Sequence, residues 1–551
     1  MKRWAAILGG IVVAIAALLG LAYANREAVF LMIAHFSLPH IAPNRPVTWA
    51  QGPSETPTGE RPPNIIVILA DDMGFNDITF NGGGIAGGAV PTPNIDSLGK
   101  EGVSFANGYD GNATCAPSRA TIMTGRYATR FGFEFTPAPV AFQRLVGTSE
   151  EPGALVKPSF NAAEVKNTPK MDALRVPLTE TFIARVLKDK GYHTMHFGKW
   201  HLGATKGARP EDKGFDESLG FMAGASMYLP ENDPGVENSK QPWDPIDRFL
   251  WPNLPYMVQF NGSEMFAPKG YMTDYLTDEA LKAVEANRNR PFFMYFAPNA
   301  IHTPLQATKA DYDALPQIKD HRLRVYGAMM RNLDRNVGRL LQKLKDLGLD
   351  QNTMVIFTSD NGGAGYIGLP EINKPYRGWK ATFFEGGIHS PFFIRWPAKI
   401  PAGSKYAAPV GHIDIFATAA AAAGAAPPKD KEIDGVDLVP FVTGQAQGRP
   451  HQIMFWRSGA YKVVLDGDWK LQSSEAQDKV WLYNLAADPT ERHELSHEQP
   501  DRVRAMLDLI RQQDRKNVKS LWPSLLRGPI YIDHPSGMPA KPGEEYILWD
   551  N

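Results

Sequence analysis

Short, mainly apolar runs recur along this chain of 551 residues, and several are followed closely by residues that carry charge or a hydrogen-bonding ring. Asn64 is followed by Ile65, Ile66, Val67, Ile68 and Leu69, the pattern of a strand buried on both faces. Residues 192–197, 292–297, 354–358 and 392–396 read the same way, and helical patterns lie between several of them. One spans 323–347, with Val325, Met329, Leu333, Val337, Leu340, Leu341 and Leu344 at helical spacing. Strands alternating with helices predict an α/β fold with a mainly parallel sheet covered on both sides. A hydrophobic content of 43% over this length supplies a large core.

In such sheets ligands bind beyond the carboxyl ends of the strands. Asp71 and Asp72 follow the first run in D-D-M-G-F-N-D, and Lys199 and His201 follow the second in G-K-W-H-L-G. His302 lies a short loop after the third in A-I-H-T-P, and Asp360 and Asn361 end the fourth in S-D-N-G-G. Four chemically loaded segments are thus expected at one edge of one sheet. Asp71, Asp72, Asp360 and Asn361 make a hard oxygen set suited to calcium or magnesium and poorly suited to zinc. Without a cation these carboxylates would repel one another and any anionic substrate. Arg119, Lys199, His201, His302 and Lys380, the last within R-G-W-K-A-T-F-F-E-G-G, would complete a pocket for a tetrahedral anion. His193, His196, His389 and His412 stand at no strand end and read as structural. A formal net charge of -1 gives no sign of nucleic-acid binding.

Cys115 is the single cysteine, so no intrachain disulfide is available to it. It opens the run C-A-P-S-R, where Pro117 suits a first helical turn and residues 120–123 continue it. A helix N-terminus favours anions, so a reactive thiolate is one reading. Hard oxygen-bound cations are odd neighbours for sulfur, and an oxygen nucleophile at this position is the other.

C-A-P-S-R followed by T-G-R-Y resembles the signature of the type I sulfatases, in which this cysteine is oxidised to formylglycine. D-D-M-G, G-K-W-H-L-G, S-D-N-G-G, G-W-K-A-T-F-F-E-G-G and the later L-Y-N-L-A-A-D-P-T-E resemble motifs of the same family, in order, over about residues 64–495. The resemblance implies an alkaline-phosphatase-like fold and an arylsulfatase-like hydrolase of sulfate esters, aryl or carbohydrate. It implies that Asp71, Asp72, Asp360, Asn361 and an oxygen of modified residue 115 hold Ca2+, with Mg2+ as the other choice. Hydrated formylglycine would attack sulfur with one hydroxyl while Asp360 accepts the proton. Arg119 and Lys199 would hold the diol and sulfate, and His302 and Lys380 would stabilise or protonate the leaving oxygen. His201 would help to withdraw the second proton as sulfate is eliminated. A formylglycine-generating enzyme is the implied partner in maturation. A phosphodiesterase or phosphonate monoester hydrolase of the same fold is the rival, as is a non-catalytic binder of sulfated glycans should Cys115 stay unmodified.

The rest of the chain is organised around that body. Lys2 and Arg3 precede an apolar stretch over 4–24, read as a membrane anchor or a cleaved signal with the body exported to the periplasm or beyond the cytoplasm. The expected units are 1–40 as that segment, 41–63 as a linker, 64–447 as the catalytic domain and 448–551 as a small C-terminal subdomain and tail. Short strands are expected within 453–483 and an amphipathic helix over 501–516. Irregular insertions at 131–178 and 222–271 are expected over the active-site mouth, where they select the organic part of the ester, with Trp243 and Trp251 either stacking on an aryl or sugar ring or packing the loop itself. Residues beyond Arg527 read as an extended tail.

Overall fold

The computed structural model describes residues 14, 20, 21, 39–55, 61–150 and 153–551. Among the described residues, nine strands form one sheet. In chain order they are β1 (Asn64–Ala70), β2 (Val103–Phe105), β3 (His193–Lys199), β4 (Glu217–Phe221), β5 (Gln259–Phe260), β6 (Phe292–Ala297), β7 (Thr353–Ser359), β8 (Phe393–Arg395) and β9 (Ser404–Tyr406). Their spatial order is β9-β2-β8-β7-β1-β6-β3-β4-β5. The four runs expected to carry chemistry are β7, β1, β6 and β3, adjacent and all parallel. The fifth run, β8, is antiparallel to β7, so its end points the other way.

Every residue of β1 is buried, and alternate side chains serve different layers. Ile66 and Ile68 face one core with Leu276 and Leu333, from α2 (Met272–Ala286) and α3 (His321–Asp346). Ile65, Val67 and Leu69 face another with Ala120 and Phe416, from α1 (Cys115–Thr124) and α4 (Ile413–Ala422). Each such aliphatic side chain contributes about 1.5–3 kcal/mol by leaving water. Asp320 caps α3 by accepting from the amide of Leu323 at 2.8 Å. The outcome is a three-layer α/β sandwich whose carboxyl edge is held rigidly from both sides.

A four-stranded antiparallel sheet follows, built of β10 (Ile453–Ser458), β11 (Tyr461–Asp466), β12 (Trp469–Ser474) and β13 (Lys479–Asn484). Helix α5 (Pro500–Asp514) packs on it through Met506 and Ile510. The tail departs from its expected extended form. β14 (Leu526–Tyr531) pairs with β15 (Tyr546–Asp550) and also with Ser159–Phe160 of the first insertion. The two insertions meet as well, where Phe142 and Phe249 stack edge to face with ring centres 5.3 Å apart.

The stretch expected as a linker lies against the body where it is described. Trp49 is buried, and its indole Nε1 donates to Glu279 at 2.9 Å, so an aromatic anchor outweighs the surrounding prolines. The apolar segment 4–24 lies outside the described residues except for 14, 20 and 21. Among the described residues no helix is long and apolar enough to cross a membrane.

Candidate active site

The parallel pairing continues past the strand ends and sets the two acidic turns side by side. The amide of Asp360 donates to the carbonyl of Ala70 at 3.1 Å. The amide of Asp72 then donates to Asp360 Oδ1 at 3.2 Å, and that of Met73 to Ser359 Oγ at 2.9 Å. On the other side, Asp71 exchanges backbone hydrogen bonds with Ala300 and Ile301, both at 2.9 Å, which brings the His302 loop alongside. Asp72 has a left-handed backbone, φ 59°, so two consecutive carboxylates turn into one space instead of alternating across a strand.

Cys115 opens α1 and faces both carboxylates, with Sγ 3.8 Å from Asp71 Oδ1 and 3.8 Å from Asp72 Oδ1. One helical turn later, Arg119 is fully buried; its Nε donates to Asp360 Oδ2 at 2.9 Å and its Nη1 to the carbonyl of Lys199 at 3.1 Å. Lys199 ends β3, with Nζ 2.9 and 2.8 Å from the two oxygens of Asp71. Lys380 places Nζ 2.7 and 2.9 Å from those of Asp72. Its backbone is held by Gly363 and, through Ala381, by Ala113, two residues before the Cys115 helix begins. His302 Nε2 lies 3.6 Å from Asp72 Oδ2. Its Nδ1 lies 2.5 Å from the carbonyl of Thr303, which can only accept, so Nδ1 carries the proton and Nε2 presents a lone pair.

His201 also has a left-handed backbone, φ 61°, and is buried with no hydrogen-bond partner at Nδ1. Its ring rests on Gly224, where a Cβ would come within 2.7 Å. All of the residues expected at the site are therefore brought to one sheet edge, around Cys115. Ligand atoms of Asp71, Asp72, Cys115 and His302 all lie within 4.8 Å of one another, a grouping in which His302 stands closer to the carboxylates than the sequence conveyed.

The electrostatics follow from enclosure. Burial, then Asp360, pushes the Asp71 carboxyl up to about 7. Burial works the same way on Asp72, but Lys380, His302 and Lys199 outweigh it and hold that carboxyl below the usual range. Burial lowers His302 to about 3 despite Asp72, so the imidazole is neutral. His201 is likewise held well below the ordinary value, by burial and by Lys199 and Arg119. Burial and Asp360 push the Cys115 thiol up to about 12.

A divalent cation fits this donor set. Three carboxylates and a carboxamide converge, and the Asn361 amide nitrogen donates to Asp72 Oδ1 at 2.8 Å. Asn361 Oδ1 is buried with no donor, an acceptor that a hard cation would satisfy.

Two groups were not legible in the sequence. Tyr366 donates its hydroxyl to Asp72 Oδ2 at 3.0 Å and accepts from Lys380 Nζ at 3.4 Å. Tyr295, on β6, meets Arg119 Nη1 at 3.5 Å from beneath. The four histidines read as structural all bond within the fold: His193 to Glu217, His196 to Ser218, His389 to Glu385, and His412 to Ser118. Trp251 donates to Asp247, and Trp243 to the carbonyl of Tyr366, so both insertion tryptophans pack and brace loops.

Comparison with known proteins agrees with this constellation. The sulfatase family model matches residues 63–425, and that of the N-sulphoglucosamine sulphohydrolase C-terminal region matches 377–517. N-acetylgalactosamine-6-sulfatase of Mus musculus is 33% identical over 418 residues, covering 74% of this chain and 72% of that one. The crystal structure of Ps i-CgsB in complex with k-i-k-neocarrahexaose is 31% identical with a TM-score of 0.69, covering 84% of this chain and 95% of that one. The phosphonate monoester hydrolase of Agrobacterium radiobacter, 18% identical with a TM-score of 0.56 over 83% of this chain and 97% of that one, shares the fold. With its family model matched over most of its length, the chain belongs to the sulfatase family and is a hydrolase acting on sulfuric ester bonds.

Proposed function

We propose that this protein hydrolyses sulfate monoesters of carbohydrates, using a formylglycine made from Cys115 and a divalent cation held by Asp71, Asp72, Asp360 and Asn361. The observation that carries the reading is the setting of Cys115. It stands among three carboxylates and three fixed cations, a hard, oxygen-rich setting that suits an oxygen nucleophile better than sulfur, and burial with Asp360 pushes its thiol up to about 12. Formylglycine, as its hydrate, would supply what a thiol cannot, two hydroxyls on one carbon, for attack on sulfur and for the later release of sulfate. A bound cation, calcium or else magnesium, supplies the positive charge that favours ionisation of such a hydroxyl.

The chain's own residues do the remainder. Asp360 is anchored by Arg119 and can accept the proton at a carboxylate oxygen. Arg119 and Lys199 lie fixed by Asp360 and Asp71, so their charge meets the sulfate oxygens without reorganisation. Lys380 faces the leaving oxygen as a donor that stays charged. His302, neutral with its Nε2 lone pair exposed to the same space, accepts before it donates. His201, also held neutral by burial and by Lys199, is the base for the second hydroxyl. The carbohydrate part of the reading is supported by two similar proteins, one named for N-acetylgalactosamine 6-sulfate and one bound to a neocarrahexaose. Export beyond the cytoplasm fits the apolar segment over 4–24, and maturation would require a formylglycine-generating enzyme.

Turnover of protein co-produced with that enzyme tests the reading. Sulfate should be released from aryl and galactose-based sulfate esters, lost on chelation and restored by calcium. A large preference for aryl phosphate or phosphonate esters would favour the rival hydrolase chemistry. Tight binding of sulfated glycans with no turnover would favour a binder.

A further inference from the structure

The C-terminal tail returns to the active site from beyond both regions matched by the family models. Between β14 and β15 it reaches two active-site loops. On the first, Asp533 takes the Arg377 guanidinium with both oxygens, Nε to Oδ1 at 2.8 Å and Nη2 to Oδ2 at 2.7 Å. The carbonyl of Ile532 accepts from the amide of Gly378 at 3.1 Å. Lys380 follows two residues later. On the second, the amide of Ser536 donates to the carbonyl of Gly365 at 3.1 Å, next to Tyr366.

Two more groups fix that second loop. Trp243 Nε1 donates to the carbonyl of Tyr366 at 3.2 Å. Arg322 Nη1 donates to the carbonyls of Ile367 and Gly368, both at 3.1 Å, while its guanidinium carbon lies 4.6 Å from the Trp243 ring. Gly537, at φ 83°, presses on the same indole, and a Cβ there would approach it to 2.8 Å. The two loops then meet where the Tyr366 hydroxyl contacts both Asp72 and Lys380.

We propose that residues 532–537 brace the leaving-group side of the active site. Asp533 acts through Arg377, and the Ser536 backbone acts through Gly365, so that Lys380 and the Tyr366 hydroxyl point at one place. Asp533 is a positioning residue, and so is Tyr366, whose hydroxyl donates to Asp72 and accepts from Lys380 and thereby fixes the Lys380 ammonium. A two-pronged carboxylate–guanidinium pair fixes orientation as well as distance, which is what a donor aimed at a developing oxyanion requires. Misplacing such a donor by about 1 Å costs up to about 100-fold in rate. The inference rests on the sulfate-ester reading in one respect, the assignment of Lys380 to the leaving oxygen.

A series of aryl sulfates of decreasing phenol acidity tests it, with wild type, Asp533→Asn, Asp533→Glu and Tyr366→Phe assayed alongside their melting temperatures. Asp533→Asn should lose about ten-fold in kcat/KM on the least acidic phenol and little on the most acidic, chiefly in kcat, with partial recovery in Asp533→Glu. Should Asp533→Asn fail to fold, Tyr366→Phe carries the test, with the same steeper dependence on leaving group expected. A loss equal across the series, or no loss, in the folded variants would overturn the brace. A wild type inert toward every sulfate ester would overturn the parent reading and the brace together, and the wild-type series alone tells these failures apart.

Discussion

Two buried clusters of charge stand five residues apart in the motif that holds Lys380 and Glu385, and they are built on opposite terms. At the junction with the C-terminal sheet, Lys470 Nζ lies 2.7 Å from Glu385 and 3.0 Å from Glu491. The second oxygen of Glu385 accepts from His389 at 2.9 Å and Tyr109 at 3.1 Å. That of Glu491 accepts from the amide of Glu385 at 2.7 Å, and Gln472 serves its first oxygen at 2.9 Å. Every carboxylate oxygen there has a donor. Around Cys115 the carboxylate oxygens of Asp71, Asp72 and Asp360 also have donors, but Asn361 Oδ1 and His201 Nδ1 have no partner although both are buried. A closed network holds two units of the fold together, and unsatisfied neutral acceptors beside paired charges are left to meet a ligand.

That contrast separates the effects of mutation. Cys115→Ser should lose turnover by about 10^4 to 10^6 while its melting temperature stays near wild type. A serine has no second hydroxyl with which to release sulfate, so sustained multiple turnover by this variant would break the distinction. Lys470→Met should do the reverse. Leaving Glu385 buried without its cation costs about 3–5 kcal/mol of stability by denaturant unfolding, with kcat/KM of the folded protein close to wild type.

Added calcium sharpens the comparison further. Saturating cation at about 100 times its dissociation constant should stabilise the wild type by about 2.7 kcal/mol in thermal unfolding. Lys470→Met should keep that increment and Asp72→Asn should lose it. An equal increment in Asp72→Asn would place the cation elsewhere. The smallest effect concerns acid. Burial opposes ionisation of Glu385, but Lys470 and His389 outweigh it and bring its carboxyl down from 4.5 to about 2. A depressed value means stability present above the unfolded value and lost as pH falls from about 4.5 toward 2, whereas its partner Glu491, pushed up to about 7 by burial despite Lys470, acts the opposite way between about 4.5 and 7. Unfolding followed across the lower of these windows should show the loss in wild type and a smaller one in Lys470→Met.

The fold of the catalytic body was legible because β1, β3, β6 and β7 are buried on both faces and so are largely apolar, with the buried His193, Thr194 and His196 of β3 the main interruption. Their chemical residues were legible for a related reason, since a charged residue ending such a run has few reasons to be there except function. Tyr366 was not. It sits in a glycine-rich loop, and its place over Asp72 is made by Trp243, Arg322 and Ser536, which come from three distant parts of the chain. The tail was misread for the same reason, because β14 gains its partners only from β15 and from Ser159–Phe160. The linker reading failed at Trp49, where one aromatic contact with Glu279 outweighs the local proline content.

The central claim is that the chain's only sulfhydryl is a precursor and not a working group. Mass spectrometry of the peptide spanning residue 115, from catalytically active protein made in its native host, measures this directly. The account predicts a residue that has lost its sulfur and carries an aldehyde able to react with a hydrazide. An intact thiol throughout an active preparation would contradict it.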